Sequence, residues 1–167
     1  RNSGKCLNLD TDFWSGVNNV LLYNNDKNQD SARFFISKAG TFSKNNDHKA
    51  RYLFIHGQLL EKINLLDSAQ KVYNSIIELG RKIPRLFWIH SKLNALKIQS
   101  VQLETNPTSI TKRLKRNYEN FPHAHLINQF EARYYIDKGL DSLGISSYNK
   151  SLRSKGVDIF TRRSISS

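Results

Sequence analysis

Apolar residues recur at helical intervals along most of this chain. In "ARYLFIHGQLLEKI", residues 50–63, Tyr52, Ile55, Leu59 and Leu60 fall on one face and Ile63 continues it. In "SAQKVYNSIIEL", residues 68–79, Ala69, Val72, Tyr73, Ile76 and Ile77 do the same. Positions three and four apart meet on one side of an α-helix, so each segment predicts an amphipathic helix. The period-two alternation of a half-buried strand is not sustained anywhere. Between the two helices lies "NLLD", where Asp67 suits the N-cap of the second helix because its carboxylate accepts from orphan backbone N–H groups. Gly80 suits the stop, since glycine takes the left-handed conformation that closes helix C-termini. Residues 50–80 therefore predict a helix–turn–helix hairpin.

The spacing within that hairpin recurs. Gly57 and Ala69 are 12 residues apart, and Tyr73 follows Ala69 by four. Ala132 and Gly144 are also 12 apart, Tyr148 follows by four, and Ser151 takes the next small position. Gly139 falls in the turn "DKGLDS" between them. Val20 and Ala32 repeat the interval near the start, with Tyr23 between them and Ile36 and Ala39 beyond. The physical reason is steric: small residues let helices cross closely, and an aromatic one turn later fills the space beside them.

With these residues in place the chain resembles a tetratricopeptide repeat (TPR) protein, a family built of helical hairpins of about 34 residues. The resemblance implies an all-α fold, an array of antiparallel helical hairpins stacked as an α-solenoid. It gives about four units within a single repeat domain over 1–167, at about 13–46, 50–83, 84–124 and 125–158. The third unit is degenerate. It is longer at its front, and bulky Ile98, Ile110 and Leu114 take its packing positions. Pro84 begins its first helix, where proline is tolerated. "TNPTS" makes its turn, with Thr108 or Ser109 as cap, and Pro122 closes it. "IFTRRSISS" reads either as a tail or as the start of a capping helix.

The bulk composition fits this reading. The chain has 167 residues, 38% apolar and 24% charged, which suits one domain with a real core. No apolar run approaches the ~20 residues of a membrane span. The sequence opens on "RNSGKCLNLD", which has no signal-peptide character, and it contains no Met. The expectation is a fragment of a longer chain. Cys6 is the only cysteine, so no internal disulfide forms; this fits a reducing compartment, and the expected location is cytoplasmic.

Charge changes the picture more. The net charge is +12, and residues 1–80 hold 10 Lys/Arg against 8 Asp/Glu while residues 81–167 hold 16 against 6. Such an imbalance bears on partners rather than fold, and it favours nucleic acid, anionic lipid or an acidic protein. "TKRLKRNY" is the sharpest basic feature. On a helix Lys112, Lys115 and Arg116 share a face, with Arg113 to one side and Leu114 packed inward. Arg81, Lys82 and Arg85 form a second basic group, and Arg153, Lys155, Arg162 and Arg163 a third.

No catalytic constellation emerges: there is no Gly-rich phosphate loop, no HExxH and no CxxC. His123 and His125 read as polar residues at a helix start, since no third metal ligand stands near them. His48, His56 and His90 have no evident nucleophile beside them. The sequon at Asn149–Ser151 falls mid-helix. Trp14 and Trp88, beside Phe13 and Phe87, read as packing residues.

In TPR proteins the first helices of the units line a concave groove. Carried onto this chain, the resemblance turns Arg51, Phe54, Gln58 and Lys62 into it from the second unit. Lys92, Ala95 and Gln99 follow from the third unit, and Gln129 and Arg133 from the fourth. The expected role is a non-enzymatic scaffold without cofactor or metal, gripping an acidic peptide or protein partner. The alternatives are an RNA-binding subunit using the basic C-terminal half, or a non-catalytic repeat domain of a larger enzyme or envelope assembly. Against RNA, the spacing buries the aromatics, so few are left to stack on bases.

Overall fold

The computed structural model describes residues 29–154, and these are helical with no strand among them. Seven α-helices follow one another: α1 (Gln29–Phe42), α2 (Asn46–Lys62), α3 (Leu66–Glu78), α4 (Arg85–Gln102), α5 (Thr108–Arg116), α6 (Ala124–Asp137) and α7 (Asp141–Arg153). Short 3-10 helices occupy Gly80–Lys82 and Tyr118–His123. The first helix of the expected 13–46 unit, Trp14, the Val20–Ala32 crossing and the cations Lys155, Arg162 and Arg163 lie outside the described residues. The chain divides into two compact units, Arg1–Ala95 and Leu96–Ser167, with the boundary inside α4.

In the first unit, α2 starts on Asn45, whose Oδ1 accepts from the backbone N–H of Asp47 at 2.8 Å and of His48 at 3.3 Å. These two bonds satisfy donors that no helical carbonyl can reach. Asp47 adds a negative charge at the positive end of the helix dipole. The helix ends in a Schellman turn. Asn64 donates to the Glu61 carbonyl and Leu65 to the Leu60 carbonyl, each at 2.9 Å, with Asn64 in the left-handed region at φ 61°. Asparagine tolerates that conformation better than most side chains. The N-cap of α3 is Leu65, which offers no side-chain bond, and Asp67 sits inside the first turn instead. The sequence expectation for Asp67 as cap is thus off by two residues: the preceding turn, not an acidic side chain, sets the start. Gly80 does follow the end of α3 with φ at 60°, as its role as a stop requires.

Helix α2 is packed on both sides. Against α1 it buries Tyr52 with Ile36 and Ala39, and Ile55 packs on that cluster. Against α3 the crossing is set by Gly57 and Tyr73. Tyr73 and Ala69 are fully buried. Tyr73 donates its phenolic proton to Glu61 Oε1 at 2.6 Å. Burial pushes that phenol above its ordinary range. The hydrogen bond to Glu61 and the Glu61 charge act in the same direction, and a hydrogen bond with Asn94 opposes them. Trp88 of α4 donates from Nε1 to the Ile77 carbonyl at 3.1 Å, so its indole is used in packing, as the sequence predicts.

The second unit is built with more buried polarity. Its apolar core includes Leu96, Ile98, Leu114, Ile127 and Ala132. Helix α5 does not use Thr108 or Ser109 as cap. Pro107 holds the N-cap position, and Asn106 Oδ1 accepts from the Thr108 N–H at 3.0 Å and from its hydroxyl at 2.7 Å. An Asn just before a proline makes that turn on its own side chain. At the other end Asn120, only 1% exposed, donates from Nδ2 to the Leu114 carbonyl at 2.7 Å and so satisfies one of the last carbonyls of α5. Pro122 lies within the following 3-10 helix.

Helices α6 and α7 pack along each other, and their joint repeats the form of the first. Gly139 (φ 73°) donates to the Ile136 carbonyl and Leu140 to the Tyr135 carbonyl, each at 2.8 Å. Leu140 then caps α7 without a side-chain bond, as Leu65 does α3. Gly144 and Ala132 are buried at the crossing. Ser151, fully buried, donates to the His125 carbonyl at 2.8 Å, and Asn128 donates to Ser154 Oγ at 3.2 Å. The Asn149–Ser151 sequon is therefore part of α7, with its serine committed to packing.

Candidate interaction surfaces

Two sets of side chains stand out, one on each kind of helix face. The first is the stripe on α2. Arg51, Phe54, Gln58 and Lys62 recur at three- and four-residue intervals, so one line along the helix carries all four. Arg51, Gln58 and Lys62 are exposed. Phe54 is half-buried in an aromatic group. Its ring centroid lies 5.9 Å from Tyr73, 6.0 Å from Phe87 and 5.7 Å from His90. Such tilted and edge-on pairs hold a ring in place. The stripe is thus polar and cationic, laid over an anchored aromatic floor.

On α4, Lys92 is half-buried. Ala95, expected to line the same surface, is buried at 3% exposure, because its turn of the helix faces the core. In the second unit Gln99 and Gln129 are half-buried and Arg133 is exposed, with Gln129 and Arg133 one turn apart on α6. On α2, His56 has its Nδ1 buried and unmatched by any hydrogen-bond partner among the described residues. Burial lowers its pKa below the ordinary range, and the positive charge of Arg33 adds to the effect.

The second set is basic. Arg81 and Lys82 are exposed on the first 3-10 helix. The Arg85 guanidinium stacks on the Trp88 ring, 3.9 Å from its centroid, which commits it to a cation–π contact. On α5 the sequence expectation needs correcting. Lys115 does not stand with Lys112 and Arg116: its Nζ lies 2.5 Å from Glu131 Oε2, and the lysine is half-buried. Glu131 is itself buried on α6, and its other oxygen accepts from the Thr111 hydroxyl at 2.5 Å. A buried carboxylate needs such partners to offset its lost hydration. Lys115 is drawn inward for that reason, and the exposed cations are Lys112, Arg113 and Arg116.

The aromatics also depart from expectation. Tyr118 is 72% exposed and Phe121 57% exposed, immediately after α5. Helical spacing places such residues inside only while the α-helix continues. Here Asn117 turns extended and the chain re-enters as a 3-10 helix, so the periodicity no longer applies. The signal was present in "NYENFP": an Asn able to bond back to the backbone two residues on, and a Pro that resists continuation of an α-helix. No protein-family model and no curated protein matches the sequence.

Proposed function

We propose that the chain is a TPR-like array of helical hairpins within one repeat domain, and that it works as a non-catalytic binding module for an acidic peptide or an acidic stretch of a partner protein. One observation carries the reading. The left-handed turn residues Asn64 and Gly139 stand at the same offset beyond Gly57 and Ala132, and each turn delivers the chain into a close crossing, at Gly57–Tyr73 and at Gly144–Ile136. Two helix pairs that share small-residue positions, turn geometry and an uncapped second helix are the expected product of one repeating unit.

Binding is assigned to the outward faces of the first helices of the pairs. The α2 stripe of Arg51, Gln58 and Lys62 offers two cations and an amide donor on a rigid face, and Gln129 with Arg133 repeats cation and amide on α6. Such a surface complements extended acidic chain, in which backbone carbonyls and carboxylates alternate.

The test is a fluorescence-anisotropy titration of a labelled glutamate-rich peptide against the native chain, Arg51→Glu and Arg133→Glu. The expected result is saturable binding that each reversal of charge weakens by about tenfold or more, as for a lost interfacial charge contact. Peptide binding indifferent to both substitutions would overturn the assignment.

A further inference from the structure

Lys112, Arg113 and Arg116 occupy the side of α5 opposite Thr111 and Leu114, which are buried. The buried carboxylate beside this helix, Glu131, is engaged by Thr111 and Lys115 on its inner side. The three exposed cations have no ion-pair or hydrogen-bond partner among the described residues. They lie within little more than one helical turn, about 6 Å from first to last along the axis.

Directly beyond them come Tyr118 and Phe121. In a 3-10 helix, side chains at i and i+3 eclipse, so these two rings project from one edge, about 6 Å apart along the axis. The turn that bears them is held from inside. Asn117 Oδ1 accepts from the Glu119 N–H at 3.0 Å, and buried Asn120 is bonded to the Leu114 carbonyl. The rings are therefore exposed on a fixed support rather than on a frayed end.

We propose that α5 and the 3-10 helix after it form a contact site for single-stranded nucleic acid, with Lys112, Arg113 and Arg116 on the phosphates and Tyr118 and Phe121 stacking on bases. Cations alone serve any polyanion. Two projecting rings beside them serve a ligand whose charges alternate with planar faces, and an acidic peptide has no such faces. Stacking also selects single strands over duplex, because paired bases are already stacked on each other and present no free face. Stacking on aromatic faces is tolerant of sequence, because every base has a π-face. It lies on a different helix from the stripes assigned to an acidic partner and stands without them.

The experiment measures the anisotropy of a labelled uridine oligonucleotide, and of an RNA duplex, with the full chain at several salt concentrations. The single strand is expected to bind, with log K falling linearly in log salt. Replacing the three cations together with Gln reduces that slope by about 2, roughly 0.7 per phosphate released. Tyr118→Ala and Phe121→Ala each weaken binding by about tenfold. Tyr118→Leu and Phe121→Leu, which keep apolar bulk and leave the fold undisturbed, lose affinity in the same direction. Oligonucleotide binding indifferent to both leucine variants, a duplex bound as tightly as the single strand, or polyglutamate bound more tightly through the same cations would each overturn the site; the last would make this face a docking surface for acidic protein.

Discussion

A Cβ atom placed on Gly57 would lie 2.6 Å from Cε1 of Tyr73. That is well inside van der Waals contact, and the obstacle is a ring that is fully buried and hydrogen-bonded at its far end to Glu61. The ring cannot swing away without losing that bond, so the glycine sets how closely α2 and α3 approach.

Gly57→Ala should therefore destabilise the chain although alanine is the better helix former. Overpacking costs about 1–3 kcal/mol, against about 1 kcal/mol gained in helix propensity. A net loss of about 1 kcal/mol is expected in urea unfolding. In a Tyr73→Leu background the sign reverses, because only the propensity gain remains. A loss of equal size in both backgrounds would show that the ring is not the obstacle.

The two left-handed turn residues, Asn64 and Gly139, predict different tolerances. Gly139→Ala forces a side chain into the left-handed region, at a cost of about 1 kcal/mol. Asn64→Gly, in the same conformation, stays within about 0.5 kcal/mol of the native chain. Thermal unfolding of the two variants side by side checks this.

Lys115 and Glu131 form an unequal pair, with 31% and 11% of their side-chain surface exposed. Lys115→Met leaves the Glu131 carboxylate with the Thr111 hydroxyl but no cation. The cost is expected to fall short of the roughly 3–5 kcal/mol of a fully buried pair, since the lysine is partly solvated. Lys115→Met combined with Glu131→Gln should recover most of the loss. A double-mutant cycle in which the two costs simply add would refute the coupling.

His56 makes stability depend on pH in a defined direction. Its folded-state pKa lies below the ordinary value of about 6.5, because burial and Arg33 both disfavour the charged ring. The unfolded chain then binds more protons than the folded one in that window, so stability falls as pH drops through the ordinary histidine range and recovers above it. His56→Gln should flatten that part of the melting-temperature profile relative to the native chain. An unchanged profile would assign the effect to other histidines.

Much of the helical architecture was readable because packing and periodicity agree in α2, α3, α6 and α7. Gly57, Ala69, Tyr73, Ala132 and Gly144 were all legible as close-crossing residues from spacing alone, and each is buried. The caps were less legible. Sequence points to acidic or hydroxyl side chains such as Asp67 and Thr108, while the chain closes one turn through backbone bonds and the other through Asn106. Local chemistry allowed both, and the Schellman geometry decided. The basic face was half legible: four cations can be read from "KRLKR", but that Lys115 turns inward depends on Glu131, 16 residues away. The exposed rings at Tyr118 and Phe121 were hidden by the same assumption that worked elsewhere, that helical spacing continues.

Trp88, tied to the Ile77 carbonyl and covered by Arg85, has a use beyond packing. Trp88 precedes Leu96, so its emission reports on the first compact unit. Far-ultraviolet ellipticity, in contrast, records helix loss in both. Overlaying the two melting curves thus gives a label-free reading of how tightly the halves are thermodynamically linked. Coincident midpoints mark one cooperative transition, and a lag between them marks halves that come apart in sequence.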